Sequence, residues 1–156
     1  MKILYSLTRG HARFGRALER LHSLLLLATR FYVGWQFTQS GWLKFSSWDT
    51  TLGLFRDEYH VPLLPPELAA VMGTCGELGF PILLYLGLFT RFGALGTFFV
   101  NTMAMISYRQ VLFAEGLPYD HFLWGYMLLV IMVFGGGKFS LDHWLERRAA
   151  RAAELS

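Results

Sequence analysis

Four stretches of this chain are each about as long as a bilayer's oily interior is deep, and few folds satisfy that pattern. A helix rises about 1.5 Å per residue, so roughly 20 residues cross a hydrocarbon core of about 30 Å. Residues 21–45, 67–89, 92–113 and 119–137 meet that length. Lipid offers no partner to backbone N–H and C=O groups, so each stretch is expected to be α-helical. The expected fold class is therefore all-α, a four-helix transmembrane bundle over residues 21–145. Residues 1–20 form a basic arm and 146–156 a basic tail. Only 16% of the residues are charged, against about 25% in soluble domains. The first apolar run carries no small-residue cleavage site of the kind that ends a secretory leader, so it reads as a retained helix.

The connections carry the orientation. Ten Lys and Arg residues lie in the N-terminal arm, the C-terminal arm and at Arg91 between the second and third stretches. Only Lys44, Arg56 and Arg109 lie on the other side. That bias puts both termini in the cytoplasm. Residues 3–20, with Lys2, Arg9, Arg13, Arg16 and Arg20 in and beside them, are expected to lie along the inner surface, drawn to anionic lipid. The basic residues flank apolar spans, so the net charge of +3 does not point to nucleic acid. Residues 47–59 read as a short interfacial helix with Leu52 and Phe55 facing lipid. Trp42, Trp48, Tyr59, Tyr119 and Trp124 read as an outer aromatic belt.

Charges inside a span cost about 2.5–3.5 kcal/mol each, so they need a reason. Arg30 and Glu77 are the two clear cases. Counted from the inner ends of their spans they fall at similar depth, and an ion pair between them is expected. At about 100° per residue, Arg30, Gly34, Phe37, Gly41 and Lys44 share one line. Glycines there let another helix approach closely. Gly73, Glu77, Pro81, Leu84 and Leu88 share a second stripe. Pro81 removes the donor that would serve the Glu77 carbonyl. Gly93, Thr97 and Asn101 form a polar edge on the third span. The buried pair serves either as a structural clamp or in proton or quinone chemistry. Cys75 projects away from Glu77 and reads as a packing residue. His60 and His121 both fall on the outer side and are the candidate metal ligands, without a persuasive third.

Several segments together resemble the DoxX family. They are Arg30 with Gly41-Trp-Leu-Lys44-Phe45, Glu77 with Gly79-Phe-Pro-Ile-Leu-Leu-Tyr-Leu-Gly-Leu-Phe-Thr-Arg91, and Phe134-Gly-Gly-Gly-Lys-Phe-Ser-Leu-Asp142. The resemblance covers about residues 22–145, and the last segment is similar to the family's Gly-x-Gly-x-x-Ser-x-Asp ending. Trp48-Asp-Thr-Thr-Leu-Gly-Leu-Phe, Tyr59-His-Val-Pro-Leu-Leu-Pro-Pro66 and Asp120-His-Phe-Leu-Trp124 resemble a branch associated with metal-stress operons that also encode peptide-modifying enzymes. The family takes its name from the small subunit of a thiosulfate:quinone oxidoreductase, and other members are linked to redox-stress complexes.

Two functions follow as expectations. The first is a non-catalytic membrane partner or scaffold of a redox or metal-stress system, docking proteins in the membrane or periplasm. The second is a quinone-linked redox subunit, in which Arg30, Lys44, Glu77 and Asn101 form the polar core that holds a quinone. Arg30 and Glu77 would then be the catalytic candidates, with Lys44, Arg56 and Arg109 attracting an anion at the outer face. A homo-oligomer is compatible with either.

Overall fold

The computed structural model describes residues 2–116 and 118–154. Side chains before residue 21 are described only at positions 15 and 18, so the expected lipid contacts of Lys2, Arg9, Arg13, Arg16 and Arg20 lie outside the described residues. Seven helices are formed, and no strand occurs among the described residues. They are α1 (Lys2–Ser46), α2 (Trp48–Asp57), α3 (Pro66–Leu86), α4 (Thr90–Ser107), α5 (Arg109–Ala114), α6 (Pro118–Phe134) and α7 (Leu141–Ala153).

Local chemistry sets the boundaries. Pro66 opens α3, where its missing N–H costs nothing. Gly87 closes it in a left-handed conformation (φ 65°), its N–H donating to Leu83 and Leu84 carbonyls. Gly135 and Gly137 also have positive φ and end α6. Ser140 then caps α7 by accepting from the His143 N–H at 3.2 Å.

α1 packs on α3 and α6, and α4 packs on the same two, closing a ring of four long helices. Neighbours run antiparallel. The ideal Cβ of Gly76 would lie against Val100, and that of Gly93 against Leu83, as antiparallel α3 and α4 require. α1 and α3 come closest at Gly41, where an added Cβ would sit 2.9 Å from both Glu77 Cβ and Leu78 Cγ. The core is small: Val33, Phe37, Leu84, Ala94, Leu128 and Ile131.

The distribution of polarity is inverted relative to a soluble protein. Arg30, Glu77, Thr97 and Asn101 are buried, while Phe31, Trp35, Ile82, Leu95, Phe99 and Val133 are exposed on the ring's outside. Among the described residues one helix, α3, is long and apolar enough to cross a membrane, and α6 is a shorter apolar helix.

Several expectations change. The first span and the basic arm are one continuous helix, α1. Phe55 and Leu52 do not face lipid: Phe55 is buried against Ala69 and Ala70, and Leu52 packs on that cluster. α2 therefore lies as a lid over the N-terminal end of α3. The third span breaks at Tyr108, because the loop after α2 captures the end of α4. The His60 N–H donates to the Ser107 carbonyl at 3.1 Å, and the Tyr108 hydroxyl donates to Glu58 at 2.9 Å. Of the residues expected in an aromatic belt, Trp42 and Tyr119 are exposed, whereas Trp48 packs on the Phe55 cluster. Tyr59 and Trp124 instead turn inward, stacked on Phe55 and Tyr108 and set edge-on to Phe37, respectively.

Candidate functional site

The central feature is an ion pair between α1 and α3. Lys44 Nζ donates to both oxygens of Glu77, at 2.8 and 2.7 Å, and to Ser40 Oγ at 2.7 Å. The Lys44 and Glu77 side chains are only 11% and 8% exposed. Ser40 lies one turn before Lys44, so a single helical face supplies the cation and the hydroxyl that steadies it. All three ammonium protons are used, which is what a buried lysine requires.

The pair stands at one end of a cavity of about 300 Å³ between α3 and α4, roofed by α2 and the following loop. Aromatic and aliphatic side chains wall it, among them Phe55, Tyr59, Phe80, Phe99 and Met103. Met72 and Phe99, at the rim, are more than half exposed on the outside of the ring. Ser107 also lines the cavity, and its hydroxyl is buried with no hydrogen-bond partner. Tyr59, pinned in its stack, has a phenol held well above the usual range, chiefly by burial and then by the nearby Glu77 carboxylate.

The expected Arg30–Glu77 pair does not form. Gly41 meets Glu77, whereas Arg30 meets Gly87, so the two charges lie about 10–11 residues, roughly 16 Å, apart along the bundle. The end of the apolar run does not mark equal depth on the two helices, because α1 is continuous from Lys2 to Ser46. Arg30 is fully buried and donates from Nη1 to the Leu84 carbonyl at 3.1 Å and from Nη2 to the Phe139 carbonyl at 2.6 Å. Asp142 is its electrostatic counterpart. The Asp142 carboxylate accepts from the Phe89 N–H (2.7 Å), the Thr90 N–H (2.8 Å) and the Thr90 hydroxyl (2.6 Å), capping α4. Its own N–H donates to the Gly87 carbonyl at 2.9 Å. Arg30 and the Gly-rich Ser-x-Asp ending thus form one clasp holding α1, the α3–α4 turn and α7 together.

The other candidates scatter. Asn101 is buried and joins α4 to α6, donating to the His121 carbonyl at 3.0 Å and meeting His121 Nδ1 at 2.8 Å. His60 Nδ1 instead meets the Glu58 carbonyl. No group of three or more His, Cys, Asp or Glu side chains fit to hold a metal occurs among the described residues. Arg56 pairs with exposed Glu67 at 2.7 Å, and Arg109 lies over Phe113, so neither joins Lys44. Cys75 is exposed, not packed. Sequence reasoning missed Ser40 and Ser107. Ser40 was detectable as the residue one turn from Lys44, but Ser107 had no signal, because the loop that buries it is remote in the chain.

A helix ring that buries an arginine, a lysine–glutamate pair and an asparagine while exposing phenylalanine, leucine and tryptophan has the make-up of an integral membrane protein. The DoxX family profile matches residues 25–110. A relative from Haemophilus influenzae, described only as an uncharacterized protein, is 30% identical over 130 residues, spanning 78% of this chain and 83% of its own length. The chain belongs to the DoxX family and is a membrane protein of that type. No solved structure matches it.

Proposed function

We propose that the chain crosses the bacterial inner membrane four times, with both termini in the cytoplasm, and serves as a quinone-linked subunit beside a protein partner. Four antiparallel helices with an apolar exterior support the crossings. The lysine and arginine bias of the connections supports the orientation. On this reading residues 21–145 are the membrane domain, and Arg30 belongs to the clasp, not to the chemistry.

The observation that carries the quinone reading is the buried Lys44–Glu77 pair at the end of an apolar cavity whose rim lies on the lipid-facing side. Ligand sites of this kind are mostly apolar, with a few convergent polar groups. A quinone, when bound, supplies two-electron, two-proton chemistry. Lys44 and Glu77 hold and exchange protons at that end of the cavity, and Ser40 orients the ammonium. The aromatic walls exclude water from it. None of these side chains is a two-electron carrier, so a second protein would have to supply or take the electrons. This joins the two functions expected from the sequence: the chain is the membrane partner of a redox or metal-stress system, and holding the quinone is its contribution.

Quinone reduction by membranes carrying the wild-type chain or Glu77→Gln tests this reading, together with recovery of a partner from solubilised membranes. Loss of the quinone-dependent rate in the variant, with a partner recovered, supports it. A wild-type rate in Glu77→Gln contradicts it.

A further inference from the structure

Serine and threonine in a membrane helix ordinarily donate to the carbonyl one turn back. Thr97 does so to Gly93 at 2.8 Å and Thr102 to Phe98 at 2.8 Å. Ser107, on the same helix, does not. Its hydroxyl is buried and unpartnered on the wall of the cavity that Lys44 and Glu77 close at the other end. Ser107 itself is 6% exposed. A buried hydroxyl without a partner is unfavourable until something accepts from it or donates to it.

The separation of the two ends can be read from helix register. Gly76 faces Val100 and Gly93 faces Leu83, which puts Glu77 level with Phe99 and Ser107 level with Ala69. Eight residues of α4 separate those levels, about 12 Å at the helical rise. In a ring with carbonyls para to each other, the oxygens stand about 5 Å apart by covalent geometry. Two hydrogen bonds of about 2.8 Å, one at each oxygen, extend that span to about 11 Å. The walls between the poles present Phe55 and Tyr59 to a flat ring, and Phe80 and Phe99 line the Glu77 end. A volume of about 300 Å³ accommodates the ring, and a tail would leave past Met72 and Phe99.

We infer that Ser107 is the second anchor of this site, and that the cavity selects a para-dione held at both ends, by Lys44 Nζ at one carbonyl and Ser107 Oγ at the other. Lys44 donates to both oxygens of Glu77, so it can turn one proton to the ligand and keep the ion pair through the other. The inference rests on the quinone reading above and adds what sets its selectivity.

The test is calorimetric titration of the full chain in detergent with two probes on the same bicyclic frame. One is para-naphthoquinone and the other is tetralone, which has a single carbonyl. The wild type is expected to bind the quinone about tenfold more tightly, the worth of one hydrogen bond in a dry site. Ser107→Ala is expected to bind both alike, at the tetralone affinity. Equal affinities in the wild type, or an undiminished preference in Ser107→Ala, would overturn the two-ended grip and leave the quinone site standing. Binding of neither probe to the wild type would overturn both.

Discussion

Lys44 and Glu77, thirty-three positions apart in the chain, meet with Nζ 2.7 Å from Oε2 in the interior of the helix ring. Gly41 permits the meeting, since an added side chain there would collide with Glu77 Cβ and Leu78 Cγ and push α1 off α3. Removing one partner leaves the other charge buried without compensation, which costs about 3–5 kcal/mol. Lys44→Met and Glu77→Gln are each expected to lower stability by that order in reversible unfolding of the solubilised chain. The double variant is expected to be more stable than the worse single. Glu67→Gln, which breaks the half-exposed Arg56–Glu67 pair, is expected to change stability by no more than about 1 kcal/mol.

Gly87 is the point where three elements converge. Its φ of 65° favours glycine, and an added Cβ would collide with Arg30 Nη1 and lie 2.6 Å from Ser140 Cβ. Gly87→Ala is expected to reduce the yield of folded chain sharply. Gly53, inside α2 with nothing within 4 Å of its would-be Cβ, provides the contrast. Gly53→Ala is expected to stabilise by about 0.5–1 kcal/mol, through the ordinary helix preference of alanine. Both are read by thermal unfolding.

Asp142 caps α4 through two backbone N–H groups and the Thr90 hydroxyl. Asp142→Ala is expected to cost about 1–2 kcal/mol, the usual worth of a helix cap. It is also expected to speed proteolysis at Arg91, the basic residue next to the loosened turn.

The Tyr59 phenol is held neutral by burial, and the Glu77, Tyr108 and Glu58 charges act in the same direction. In the unfolded chain the phenol releases its proton near its usual value of about 10, whereas the folded chain retains it. Unfolding therefore becomes more favourable as pH rises above about 10. Tyr59→Phe is expected to flatten that alkaline slope, seen as a smaller fall in unfolding temperature between pH about 9.5 and 11.

Much of this arrangement was legible in the chain. Apolar length gave the α3 span, and the four-residue spacing of Arg30, Gly34, Phe37, Gly41 and Lys44 gave the buried seam of α1. Gly93, Thr97 and Asn101 are buried as their spacing implied. What failed was the partner of each charge. Spacing fixes a face but not the register between helices, and register is set by contacts such as Gly41 on Glu77 that no local pattern encodes. The inward turn of α2 was hidden for a related reason. Phe55 can bury itself in lipid or against Ala69 and Ala70, and only the fold decides.

On the quinone reading, the cavity beside Lys44 and Glu77 takes its ligand from the bilayer. Photolabelling the full chain in lipid nanodiscs with an azido-quinone, followed by peptide mapping, tests it most directly. Label is expected on α3 and α4 at the cavity rim, around Met72 and Met103, and is expected to vanish in Gly73→Leu, whose side chain would fill the space under Phe55. Label spread over the outer faces of all four long helices, and unchanged in that variant, would contradict it.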